Sequence, residues 1–142
     1  MSYADFDVRP SFITFALMLK EILLVATGGA VGSVARYLMA RIPFGATLAQ
    51  YPLGTLAANI LGCLLIGFVS ELGQREGAIS AEMKIMLTTG FCGGFTTFST
   101  FMNESLNTAK TGSMIVAAAY IAVSIILGLA AAAGGAQIAK AL

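Results

Sequence analysis

Four apolar stretches, each bounded by charged residues and each near the length needed to cross a bilayer, constrain this chain more than any other feature. A hydrocarbon core of about 30 Å takes about 20 apolar residues in a helix. The first stretch lies between Glu21 and Arg41 and reads ILLVATGGAVGSVARYLMA, with Gly28 and Gly32 in the small-xxx-small spacing that lets helices approach closely. The second follows Pro52, a residue suited to a first helical position, and runs from Leu53 to Ser70. The third goes from Met83 to about Thr108, and the fourth lies between Gly112 and Lys140. The pattern predicts an all-α integral membrane protein with four transmembrane helices, over about residues 22–40, 53–70, 83–108 and 112–139. These form one membrane domain, residues 22–142, after an N-terminal tail and interfacial segment, residues 1–21.

Within that tail, Ser11 to Leu19 is apolar, but Lys20 and Glu21 interrupt it. An ion pair at mid-bilayer is costly, so this piece reads as an interfacial helix or an early extension of the first span. Asp5 and Asp7 stand beside Arg9 where a signal peptide would carry a positive run, so no cleaved segment is expected. Two loops separate the spans: RIPFGATLAQYP, with Tyr51 suited to the headgroup level, and ELGQREGAISAE, with a possible helix cap at Ser80.

Composition closes off several functions. With 58% apolar and only 11% charged residues in 142, the chain has less than half the charge a soluble domain needs to cover its surface. A net charge of +1 with no basic run excludes a nucleic-acid partner. Histidine is absent, which removes the commonest metal ligand, proton relay and triad base together. Without it, and with Glu21, Glu71 and Glu104 placed at or near span ends, no enzyme active site can be assembled. Cys63 and Cys92 lie in apolar stretches and read as small buried thiols. Five of the eight Lys and Arg residues fall on the side of the termini and three on the other. So weak a bias permits insertion in both orientations and an antiparallel homodimer.

Function should be sought where the membrane pattern fails. The third span reads KIMLTTGFCGGFTTFSTFMNESLN, and Gly90, Gly93 and Gly94 precede a run of Thr, Ser and Phe. Such a helix is predicted to break at mid-membrane, and the released backbone groups must find partners because unsatisfied ones cost several kcal/mol in hydrocarbon. A cation on the freed carbonyls is one answer, an anion at the next half-helix's N-terminus another, and a kink patched by Thr hydroxyls or water a third. Phe98 and Phe101 are spaced i, i+3 on one face, with Thr97 and Thr100 beside them. Their positive ring edges suit a small anion held weakly enough to leave. Asn59, about 9 Å along the second helix at ~1.5 Å per residue, either glues helices together or donates to an anion. Tyr120 and Ser124 share a face of the fourth helix, as a hydroxyl track or as donors to backbone carbonyls. Arg36 is by default a snorkelling residue, or else a charge drawing anions into a vestibule.

The stretch TTGFCGGFTTFSTF, with GGAVGSVARY in the first span and GTLAANILG in the second, resembles the Fluc (CrcB) family of fluoride channels. The resemblance covers all four spans. It implies a passive, fluoride-selective channel that exports cytoplasmic fluoride across the cell (inner) membrane of a prokaryote. It implies a dual-topology, antiparallel homodimer with two pores and a structural sodium ion at its centre, held by backbone carbonyls of Gly93 and Thr96 from each subunit. The family's paired pore phenylalanines correspond to Phe98 and Phe101, its second-helix amide to Asn59, its fourth-helix hydroxyls to Tyr120 and Ser124, and its first-helix arginine to Arg36. Two other readings compete. A four-helix proton-coupled multidrug exporter would need a mid-membrane carboxylate, and a non-transporting membrane scaffold would leave the polar break and the Phe pair without a purpose.

Overall fold

The computed structural model describes residues 12–43 and 52–142, all of it helix or short connection. Asp5, Asp7, Arg9 and Tyr51 lie outside the described residues. Helix α1 is Phe12–Met39 and α2 is Leu53–Leu72. A third, composite rod follows: α3 (Ala81–Ile85), a π-helical stretch Met86–Cys92, α4 (Gly93–Phe95) and, after an interruption, α5 (Phe98–Thr111). Helix α6, Met114–Ala141, closes the bundle. The described residues thus form an all-helical bundle of four rods, as the apolar runs predict, with the third rod broken where its glycines precede the Thr, Ser and Phe run. Three of the rods, α1, α2 and α6, are long and apolar enough to cross a membrane as single helices.

The apolar piece before Lys20 belongs to α1 without interruption, from Phe12 onward. At ~1.5 Å per residue its 28 residues measure about 42 Å, well beyond the hydrocarbon thickness. Lys20 in that longer arm bonds Glu82 in the first turn of α3 at 3.0 Å, both side chains about half exposed. Backbone N–H donation at that helix start, helped by the Lys20 ammonium, holds the Glu82 carboxyl below the usual carboxylate range. At the same end of the bundle Arg75 Nη2 donates to the Lys140 carbonyl at 2.9 Å, satisfying one of the orphan acceptors that end α6. Ser80 caps α3 by accepting from Met83 N at 3.1 Å. Pro52 takes the capping position of α2, with Pro52 O accepting from Leu56 N, and Leu53 opens the helix.

Packing is backbone against backbone. Gly28 of α1 faces Gly90 of the composite rod, Gly29 faces Gly94, and Gly32 lies against the backbone of Phe91 and Phe95. A Cβ on Gly28 would overlap the Met86 carbonyl oxygen, one on Gly32 the Phe91 carbonyl oxygen, and one on Gly94 the Gly29 carbonyl oxygen. Between α2 and α6 the same device recurs, with Gly67 against the Ala132 carbonyl and Gly135 against the Leu64 carbonyl. In lipid no hydrophobic force drives helices together, so this close van der Waals fit does the work.

Gly32→Val is therefore expected to lower the thermal midpoint sharply in detergent, since overpacking against rigid backbone costs at least the ~1–3 kcal/mol seen in ordinary cores. Gly134→Ala, where a Cβ meets nothing within 4 Å, should leave it unchanged or slightly raised. Differential scanning fluorimetry of the two variants distinguishes the zip from general glycine content.

Candidate functional site

The third rod loses its helix at Thr96 and Thr97, whose backbones are extended (φ −84°, ψ 159° and φ −150°, ψ 120°). The preceding π-helical turn is already under-wound relative to an α-helix, and such turns concentrate at functional places. Two extended residues cannot complete the i to i−4 ladder, and the chain answers most of the released groups itself. Thr96 N and Thr96 Oγ1 both donate to Cys92 O at 2.9 Å. Thr97 Oγ1 accepts from Thr100 N at 3.2 Å, capping α5, and donates to Thr100 Oγ1 at 3.0 Å.

Asn59 of α2 supplies the other half of the repair. Its Oδ1 accepts from Thr97 N at 2.8 Å and its Nδ2 donates to Thr97 O at 3.2 Å, so one amide pairs with both polar groups of one residue. Of the two uses open to Asn59 in the sequence, this is the helix-joining one. The second Nδ2 hydrogen is left for another acceptor. Arg36 does not act as a plain snorkelling residue: its Nε donates to Gly94 O at 3.0 Å, part-buried, across 58 positions of sequence. Among the described residues the chain offers no donor to the carbonyl oxygens of Gly93 and Thr96.

The aromatic pair divides. Phe101 is buried at 6% exposure while Phe98 is 75% exposed, their ring centroids 6.2 Å apart and tilted by 55°. Phe101 also sits 5.2 Å from the Tyr120 ring. Both phenylalanines line a groove of about 550 Å³ on the flank of the subunit, together with Asn59, Thr96, Thr97 and Ser124. Gly93 opens onto the same groove, and a Cβ there would meet nothing nearer than Thr88 O at 4.0 Å. Unlike the packing glycines, Gly93 is small without an intrachain reason.

Ser124 Oγ donates to Tyr120 O at 2.6 Å, the carbonyl-satisfying alternative for that hydroxyl. Tyr120 OH reaches elsewhere, to Glu104 Oε2 at 3.3 Å. Glu104 also accepts from Thr55 Oγ1 at 2.7 Å, which makes it a part-buried junction of α2, α5 and α6. Glu104 stands two turns past the break, about 10 Å on at the helical rise. Sequence reasoning missed both Glu104 and its partner Thr55. The signal was present, since Thr97, Thr100 and Glu104 follow i, i+3, i+7 on one face and Thr55 lies one turn before Asn59. A second, smaller cavity of about 270 Å³ gathers Arg36, Thr55, Thr97, Thr100 and Glu104 between α1, α2 and α5.

A four-rod apolar bundle in which an amide, hydroxyls and aromatic rings line two cavities beside a broken rod has the make-up of a membrane transport protein. Comparison with known proteins places it. The profile of the family described as CrcB-like protein, Camphor Resistance (CrcB), matches residues 23–136, and the chain belongs to that family. A protein named fluoride-specific ion channel FluC from Chlorobaculum tepidum is 47% identical over 125 residues, covering 87% of this chain and 98% of its own length. Proteins of the same name from Chlorobium phaeobacteroides and Methylobacillus flagellatus are 44% and 46% identical, over 84% and 77% of this chain and 92% and 86% of their own lengths. The chain is accordingly a multi-pass membrane protein of a transport family and not an enzyme.

Asn59→Ala removes both partners of Thr97 at once. Leaving buried backbone groups unpaired costs about 1–3 kcal/mol each, so the folded midpoint should fall by several degrees. Asn59→Asp keeps the acceptor and loses the donor, and should fall between. Equal loss in both variants would mean that only the Nδ2 bond matters.

Proposed function

We propose that this protein is a passive, fluoride-selective channel that lets cytoplasmic fluoride leave the cell. The observation that carries the reading is the Phe98 and Phe101 pair, set at the break with the Asn59 amide and Thr hydroxyls in one groove. Fluoride is small and strongly hydrated, so a pore must replace its water with hard donors and positive ring edges in a passage too tight for larger halides. Asn59 keeps a second Nδ2 hydrogen and Thr100 its hydroxyl hydrogen for an anion, Thr97, Tyr120 and Ser124 would turn their hydroxyls to it from the intrachain acceptors they hold, and the two rings supply edges. Arg36 adds positive potential at the smaller cavity. Neutral hydrogen fluoride enters cells by diffusion and ionises at the higher cytoplasmic pH, so a passive exit for the anion suffices. The similarity to proteins named as fluoride-specific channels supports this over a proton-coupled exporter. Glu104, a carboxylate lining the smaller cavity, is held as acceptor by Thr55 and Tyr120.

The working unit in this reading is an antiparallel homodimer with two pores. An aromatic ring 75% exposed at the groove's edge and a glycine with open space before it both suit a second copy lying against this flank. Carbonyl oxygens of Gly93 and Thr96, without donors from the described chain, are hard ligands of the kind sodium takes. From two subunits they would form an all-oxygen site at the dimer centre. Bound there, the ion would neutralise the carbonyl dipoles that the break exposes.

Substituting Phe98 and Phe101 together by Ile should abolish fluoride efflux from reconstituted vesicles, read with a fluoride electrode, while the dimer still forms; unchanged flux would remove the rings from the pore. Chloride efflux from the unaltered protein should be undetectable under the same gradient. Exchanging sodium for N-methylglucamine during purification should lower the thermal midpoint, and an unchanged midpoint would count against the structural cation.

A further inference from the structure

We propose that Arg36 is a positioning residue for the broken rod: by holding the Gly94 carbonyl it fixes which oxygens of the break face into the subunit and which face out. Its consequence for a bound cation rests on the functional reading above, whereas the bracing itself does not.

The geometry begins on α1. Gly29 and Arg36 are seven residues apart, two helical turns, and so share a face. Gly29 presses its backbone on Gly94, and Arg36 reaches the same residue with its Nε at 3.0 Å. Steric contact from one point of α1 and a hydrogen bond from another leave the Gly94 peptide little freedom to turn. The guanidinium is planar, permanently charged and strongly directional, and in a water-poor setting its bond to a carbonyl is strengthened.

Adjacent carbonyls then part company. Gly94 O is occupied by a cationic donor, which bars a metal ion from it through like-charge repulsion. Gly93 lies on the exposed, open side, and its oxygen has no donor among the described residues. One side chain thereby decides that the outward-facing ligand is Gly93. Arg36 spends only Nε on this bond, so its two Nη groups stay available to the 270 Å³ cavity it also lines. A lysine would keep the charge there without the directional Nε, which separates bracing from simple anion attraction.

Three measurements on the full chain test this. In the unmodified protein, NMR should find the Arg36 Nε–H proton exchanging at least tenfold more slowly than those of the exposed Arg41 and Arg75. Hydrogen–deuterium exchange should rise tenfold or more across residues 93–97 in both Arg36→Lys and Arg36→Gln, with α6 unchanged. Arg36→Lys should need at least fivefold more sodium than the unmodified protein for half-maximal thermal stabilisation. A rapidly exchanging Arg36 Nε–H, or unaltered exchange at residues 93–97 in both variants, overturns the brace. If the unmodified protein gains no stability from sodium, the cation reading fails while the exchange data still decide the brace.

Discussion

A backbone that leaves its helix inside a membrane must have every released polar group met by something other than water, and this one demand organises the protein. The interruption at Thr96 and Thr97 releases carbonyls and an N–H from the helical ladder. Asn59 from α2, Arg36 from α1 and the threonines themselves answer most of them. Each answer ties a different rod to the same few residues, so the defect in the third rod becomes the point that joins the bundle. Gly93 and Thr96, whose carbonyls find no donor among the described residues, line the groove at whose edge the exposed Phe98 ring stands.

Much of this was legible in the sequence, and the reasons are specific. Apolar length against bilayer thickness located all four rods, and the cluster Gly90, Gly93 and Gly94 ahead of a Thr/Ser/Phe run located the break, because both signals are local. The i, i+3 spacing of Phe98 and Phe101 placed two rings side by side, as observed. It could not tell that one would be buried and the other bare, since that depends on where α6 lies. Of the two readings open for Ser11 to Leu19, the extension of the first span is the one the structure has: α1 runs on through Lys20 and Glu21, and Lys20 meets Glu82 across 62 positions, a partner the sequence alone does not name.

The polar residues were identified better than their partners were. Asn59, Tyr120 and Arg36 stood out as expensive groups in apolar surroundings, which is a composition signal. What each one bonds to is a matter of tertiary register that no single-sequence argument carries. Glu104 shows the same limit: its place along the third span is read from the sequence, but not that Thr55 and Tyr120 converge on its carboxylate from two other rods.

The glycine zip between α1 and the third rod has a mechanical consequence. Side chains hop rotamers and yield to pressure, while peptide planes in direct contact do not, and interiors packed this way have very low compressibility. Around the break the spacers are carbonyl oxygens and Cα atoms of Gly28, Gly29, Gly90 and Gly94, not flexible hydrocarbon. The third rod, up to its break, is thereby held against α1 by covalent geometry, along a seam with almost no give.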